Sequence, residues 1–139
     1  MHAIVIYESL TGNTRRAGEM IGGELARNGV EVSVCPTNRI DYQALAKADL
    51  VIIGTWTDGL LLVGQRPGRA GRLRNLPVID GKRCLVYVTY AIDPGKTVQK
   101  LEAIVRERGG EVLGGLAIHR SKLAEGARQV AEGALAAAV

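Results

Sequence analysis

Phenylalanine is absent from this 139-residue chain, tryptophan occurs once and tyrosine four times, so aromatic residues total 4%. Val, Ile, Leu and Ala must fill the interior, and the few rings stand out as candidates for work other than bulk packing. Cysteine is scarce too. Cys35 and Cys84 lie in no Cys-x-x-Cys, which leaves thioredoxin-like chemistry unsupported. The two histidines, His2 and His119, stand at opposite ends of the chain without ligand spacing, and no metal site is expected. No segment approaches the ~18 apolar residues of a membrane span. No charged leader with a long apolar segment precedes the first strand-like run. The expected setting is the cytoplasm, with both thiols free.

What is present suits one globular domain over residues 1–139: 47% hydrophobic and 23% charged residues. The formal charge of +4 is mild. It fits acidic partners or anionic ligands and falls short of a nucleic-acid binder.

Apolar runs at Ala3–Tyr7, Val30–Val34, Leu50–Ile53, Cys84–Thr89 and Val112–Ile118 read as five strands. The continuous ones suit strands buried on both faces. Helical spacing lies between them. Ala17, Met20, Ile21 and Leu25 mark a helix from Thr14 to Asn28 that Gly29 closes. Asp41 can cap a short helix through Leu45. Asp93-Pro94 reads as N-cap and N1 of a helix carrying Val98, Leu101, Ile104 and Val105, stopped at Gly109-Gly110. Ser121 can cap a last helix with Leu123, Ala127, Val130, Ala134 and Leu135 inward. Gly64 to Leu76 reads as a loop with at most a short helix near Leu73 and Leu76. Alternating strands and helices predict a three-layer, doubly wound, five-stranded parallel sheet of order 2-1-3-4-5. In that order the cysteines stand three strand spacings apart, about 14 Å, which excludes a disulfide between them.

The chemistry concentrates in Ser9-Leu10-Thr11-Gly12-Asn13-Thr14, directly after strand one and before helix one. Ligands of doubly wound sheets bind at the carboxyl ends of strands. A loop there presents backbone N–H groups at the positive end of a helix. Three hydroxyls and an amide add donors, and Gly12 allows a tight turn. This is a cradle for a dianionic phosphate built from neutral groups, against the plainer alternative of a helix cap. No Gly-Lys-Ser/Thr ending and no GxGxxG follows strand one, so a single terminal phosphate fits better than a triphosphate or a dinucleotide. A phosphoacceptor receiver domain is excluded as well. Strand one ends in Tyr7-Glu8-Ser9 without an acidic pair, and strand three ends in Gly54-Thr55 where the phosphoacceptor aspartate belongs.

Ser9-x-Thr11-Gly12-x-Thr14 resembles the FMN phosphate loop of flavodoxins in spelling and position. The resemblance runs along the chain. Lys47-Ala-Asp49 leading into Leu50–Gly54, Thr55-Trp56-Thr57-Asp58-Gly59 as a loop holding one flavin face, and Asp80-Gly-Lys82 leading into strand four are all similar to that family. It implies noncovalent FMN between the loops after strands three and four. Trp56 is then a stacking partner. Tyr90 is a candidate for the other face, with Thr89, Ala91 and Asp93 beside it, and Asp58 and Gly59 place backbone groups near the polar edge. Each ring has a plainer reading as a partly buried residue that shields the core.

The chain departs from the family around the ring. Short-chain flavodoxins carry acidic residues there, whereas Gly59 is followed by Leu60–Val63 and then Arg66, Arg69, Arg72 and Arg74. Basic surroundings favour an anionic reduced flavin, so the second reduction potential is expected to be less negative than in acidic flavodoxins. The arginines are either a solvated face or a docking patch for an acidic redox partner. Leu60–Val63 is either a lid over the flavin or a contact patch. The leading expectation is an electron carrier working between redox partner proteins. A small FMN-dependent reductase or oxidase acting on a quinone, and a flavodoxin-shaped scaffold with an empty site, are the alternatives.

Overall fold

A computed structural model describes residues 1–59 and 64–137. The elements run β1 (His2–Tyr7), α1 (Asn13–Arg27), β2 (Glu31–Pro36), a 3-10 turn (Thr37–Arg39), α2 (Tyr42–Lys47), β3 (Leu50–Asp58), β4 (Arg66–Pro67), α3 (Ala70–Arg74), β5 (Arg83–Tyr90), α4 (Thr97–Glu107), β6 (Glu111–His119) and α5 (Leu123–Ala137). The parallel strands follow the order β2-β1-β3-β5-β6, and the two-residue β4 pairs antiparallel with β3. With β4 set aside, this is the expected doubly wound order.

The continuous apolar runs have a simple physical outcome. In β1, Ala3 and Val5 feed one core while Ile4 and Ile6 feed the other, because successive side chains point to opposite faces. The first core is closed by α1 and α5, through Ile21, Leu25, Ala127 and Val130. The second is closed by α2, α3 and α4, through Leu45, Leu73, Leu101 and Ile104. Tyr87 is the largest fully buried side chain, as expected of a core without phenylalanine.

Several boundaries differ from the sequence reading. Met20 is exposed, and α1 instead packs on the sheet through buried Gly18 and Gly22. Asp93 caps no helix: its Oδ1 accepts from the N–H of Gly95 at 2.9 Å, making a turn, and α4 starts at Thr97 with Lys96 as N-cap. Ser121 is drawn to His119, and α5 opens with Gly126 N–H donating to the Lys122 carbonyl. In both places a competing local hydrogen bond displaced the cap. Asp41 does cap α2, its Oδ1 accepting from the Ala44 N–H at 3.0 Å. Gly29 and Gly109 follow their helices at φ 79° and 93°.

Both cysteines are free and buried. Cys84 is fully enclosed, and burial pushes its thiol from 9.0 up to about 12. Burial also raises the Tyr87 hydroxyl and the Cys35 thiol. The folded chain therefore holds these protons more tightly than the unfolded chain. That stabilisation is complete below pH 9 and is lost as pH climbs towards 12. Urea midpoints should stay level from pH 7 to about 9 and then fall, and Cys84→Ala should flatten part of that fall. A level midpoint up to pH 11 would contradict the burial of these groups.

Candidate functional site

The carboxyl ends of β1, β3 and β5 meet around the turn that precedes α1. β1 ends where the Glu8 N–H donates to the Gly54 carbonyl at 2.9 Å. The chain then turns through Gly12, at φ 100°, into α1. A side chain on Gly12 would meet nothing within 4 Å, so the turn borders open space. Ser9 Oγ accepts from the N–H groups of Gly12 at 3.2 Å and Arg15 at 3.3 Å. The Thr14 hydroxyl shares a 2.8 Å hydrogen bond with that of Thr89 and is buried. It thus ties the N-terminal end of α1 to β5 instead of lying free in the turn. Leu10 and Thr11 are exposed, and Asn13 Oδ1 accepts from Arg16. The first turn of α1 holds no acid but has Arg15 and Arg16, which oppose the helix dipole. An anion at this turn would convert that unfavourable charge into a favourable one.

A socket that the sequence did not announce fixes the loop. The Tyr87 ring lies against Gly54 and its hydroxyl against Gly18. Cβ atoms built there would stand 2.0 Å from Tyr87 Cζ and 2.8 Å from its oxygen. The hydroxyl donates to the Thr14 carbonyl at 2.9 Å. Two glycines on β3 and α1 thus admit one ring that anchors the first turn of α1 to the sheet. The available signal was Gly54 interrupting an apolar strand, a mark of close approach.

Thr55-Trp56-Thr57-Asp58 is not a loop. β3 runs to Asp58, because β4 supplies hydrogen bonds where β1 has stopped: the Gly68 N–H donates to the Trp56 carbonyl at 2.8 Å. Thr55 Oγ1 donates to the Gly68 carbonyl at 2.8 Å. Gly68 lies flat on the indole; a Cβ there would stand 2.1 Å from Trp56 Cε2. Trp56 remains half-buried, and the buried Thr57 Oγ1 has no hydrogen-bond partner among the described residues. Gly59, at φ 96°, follows Asp58 and donates its N–H to Asp58 Oδ1 at 3.1 Å. Leu60–Val63, the expected lid or contact patch, lie outside the described residues.

On the neighbouring strand end, Tyr90 meets His119 edge-on, with ring centroids 5.2 Å apart. His119 Nε2 donates to the Ala91 carbonyl at 2.7 Å, which leaves Nδ1 to accept from the Ser121 N–H at 3.1 Å. His119 therefore fixes the loop after β5, and no grouping of His, Cys, Asp and Glu among the described residues could hold a metal.

The arginine segment is only partly a free patch. Glu8, 2% exposed, is gripped by Arg69 at 3.0 Å and Arg72 at 3.2 Å, and the Thr37 hydroxyl donates to it. Arg66 pairs with Asp58 at 3.4 Å. The sequence signal was two arginines three residues apart with a lone carboxylate ending an apolar strand. It went unread because the strand-to-α3 contact spans about sixty residues of chain, 61 to Arg69.

These residues suit an FMN. The open turn at Gly12, with neutral donors and a helix N-terminus, fits a monophosphate, and the half-buried Trp56 indole fits one face of a flat ring. The sequence model of the Flavodoxin domain family matches residues 4–118. No curated protein sequence matches the chain. Among solved structures, a Streptococcus pneumoniae flavodoxin is 25% identical, with all of both chains covered and a TM-score of 0.76. Oxidised Flavodoxin 2 from Bacillus cereus is 23% identical over 99% of both chains, at a TM-score of 0.76. Two-electron reduced flavodoxin from Megasphaera elsdenii is 18% identical, covering 95% of this chain and 97% of its own, at a TM-score of 0.77. With the family's sequence pattern over most of its length and the fold to match, the chain belongs to the flavodoxin family, whose cofactor is noncovalently bound FMN.

Proposed function

We propose that this chain, as one domain in the cytoplasm, carries electrons between redox proteins, with Ser9–Thr14 holding the FMN phosphate. Thr55–Gly59 flank one side of the ring; Thr89, Tyr90, Ala91 and Asp93 flank the other. The FMN supplies the redox chemistry, in one-electron steps. The chain binds, orients and sets the electrostatics. The observation that carries this reading is the positive-φ turn at Gly12, open to solvent and tied to β5 through Thr14.

Arg66, Arg69, Arg72 and Arg74 set against Asp58 and Glu8 leave a net positive face beside this site. That face fits an acidic redox partner, more weakly than four unpaired arginines would. Long-range attraction of this kind falls with salt.

Purified protein should be yellow and release FMN on denaturation. Replacing the exposed Thr11 by valine should weaken FMN binding by roughly 10- to 150-fold, from one lost hydrogen bond to a charged group worth roughly 1.5–3 kcal/mol. Fluorescence titration of the apoprotein with FMN checks this. Unchanged affinity would sink the phosphate assignment. Rapid turnover of NAD(P)H or a quinone by the isolated protein would make it an enzyme and not a carrier.

A further inference from the structure

We propose that Glu8, Arg69 and Arg72 form a fixed charge cluster that holds the Arg69 guanidinium against Trp56, making Arg69 the residue that favours the anionic, fully reduced FMN. The inference rests on the FMN site proposed above. Four observations carry it. Glu8 is buried at the point where β1 gives way to the phosphate loop, so its charge demands a partner. Both arginines donate to it, at 3.0 and 3.2 Å, one to each oxygen, so the cluster bears one net positive charge. The Arg69 guanidinium carbon lies 5.3 Å from the centroid of the Trp56 ring, within cation–π range. Arg69 is also the one described non-glycine residue at positive φ, 49°, a conformation that is retained against its intrinsic cost.

β4 explains how these groups meet. Gly54 and Trp56, two residues apart on β3, present their carbonyls to the same side. Gly54 accepts from Glu8 and Trp56 from Gly68. β4 therefore continues the line of β1 along β3, and Arg69 arrives beside Glu8. The charge is anchored at its far end by a buried carboxylate and pressed on the indole expected to line the flavin. Solvated arginines on a flexible loop would be screened. Arg69 is held in place.

The test is an anaerobic titration of the FMN-loaded protein with dithionite as electron donor, following both one-electron potentials, beside FMN affinity. Arg69→Gln should weaken binding of the fully reduced, anionic flavin about tenfold relative to the one-electron-reduced flavin, equivalent to a second potential about 59 mV more negative. Arg69→Lys should lose less than threefold. Arg72→Gln removes an equal charge but leaves Glu8 paired with Arg69, and should also shift less than threefold. Arg69→Gly guards against misfolding: glycine adopts φ 49° freely, so it should reproduce the shift with a urea midpoint no lower than that of Arg69→Gln. Wild-type potentials in Arg69→Gln and Arg69→Gly, or equal shifts in Arg69→Gln and Arg72→Gln, would overturn the assignment. Wild-type protein that takes up no FMN would overturn the underlying site as well, a separate result visible before any potential is measured.

Discussion

Gly54→Ala should be a severely damaging single-methyl change, costing about 3 kcal/mol and lowering Tm on the order of 10 °C. The added Cβ would lie 2.0, 2.2 and 2.5 Å from three atoms of the Tyr87 ring. Neither side can yield. Gly54 sits in the centre of β3, hydrogen-bonded between β1 and β5, and Tyr87 is fully enclosed. A displaced ring also loses its bond to the Thr14 carbonyl, worth about 1 kcal/mol. The damage should be coupled to Tyr87. In a Tyr87→Leu background, Gly54→Ala should cost less than about 1 kcal/mol, because the clash is gone. Thermal and urea unfolding of the four proteins in this cycle measure it. Additive losses would mean that the ring and the glycine do not meet as described. FMN affinity should fall in Gly54→Ala too, since the Tyr87 hydroxyl anchors the turn proposed to receive the phosphate.

Gly68→Ala should act on the cofactor more than on the fold. Its Cβ would stand within 2.1–2.6 Å of three indole atoms, so Trp56 must swing away from the β3–β4 hairpin. The hairpin lies at the end of the sheet, and its loss should cost about 1–2 kcal/mol of stability. An indole moved out of place gives up aromatic stacking and apolar burial together, about 2–3 kcal/mol, so FMN affinity should drop by roughly 30- to 150-fold. The emission of Trp56, the only tryptophan, reports the displacement in the apoprotein without any cofactor. If Gly68→Ala binds FMN like the parent while its emission has shifted, Trp56 is no flavin contact. These two glycines separate the roles of their neighbours: Gly54 admits the Tyr87 ring that holds the turn before α1, and Gly68 admits Trp56, the proposed flavin contact.

The overall architecture could be read from the chain because it follows from local patterns. Ala3–Tyr7, Leu50–Ile53 and Cys84–Thr89 are apolar without alternation, and such runs need cover on both faces, which only helices between parallel strands supply. The turn at Ser9–Thr14 was legible for a similar reason: its position between strand and helix, its hydroxyls and its glycine are all contiguous. Helix caps were read less well. Asp93 and Ser121 have the right chemistry, but Gly95 and His119 offered them nearer partners.

What the sequence by itself determined is a doubly wound parallel sheet with a glycine turn between its first strand and first helix. Periodicity and short-range chemistry leave few other ways to bury those runs. What tertiary structure alone decided is everything that joins distant segments: Tyr87 with Gly54 and Gly18, Thr14 with Thr89, and Glu8 with Arg69 and Arg72. Those contacts span up to 75 residues of chain and depend on strand register and on where β1 stops beside β3. No local pattern encodes them, because register is settled by packing of the whole sheet.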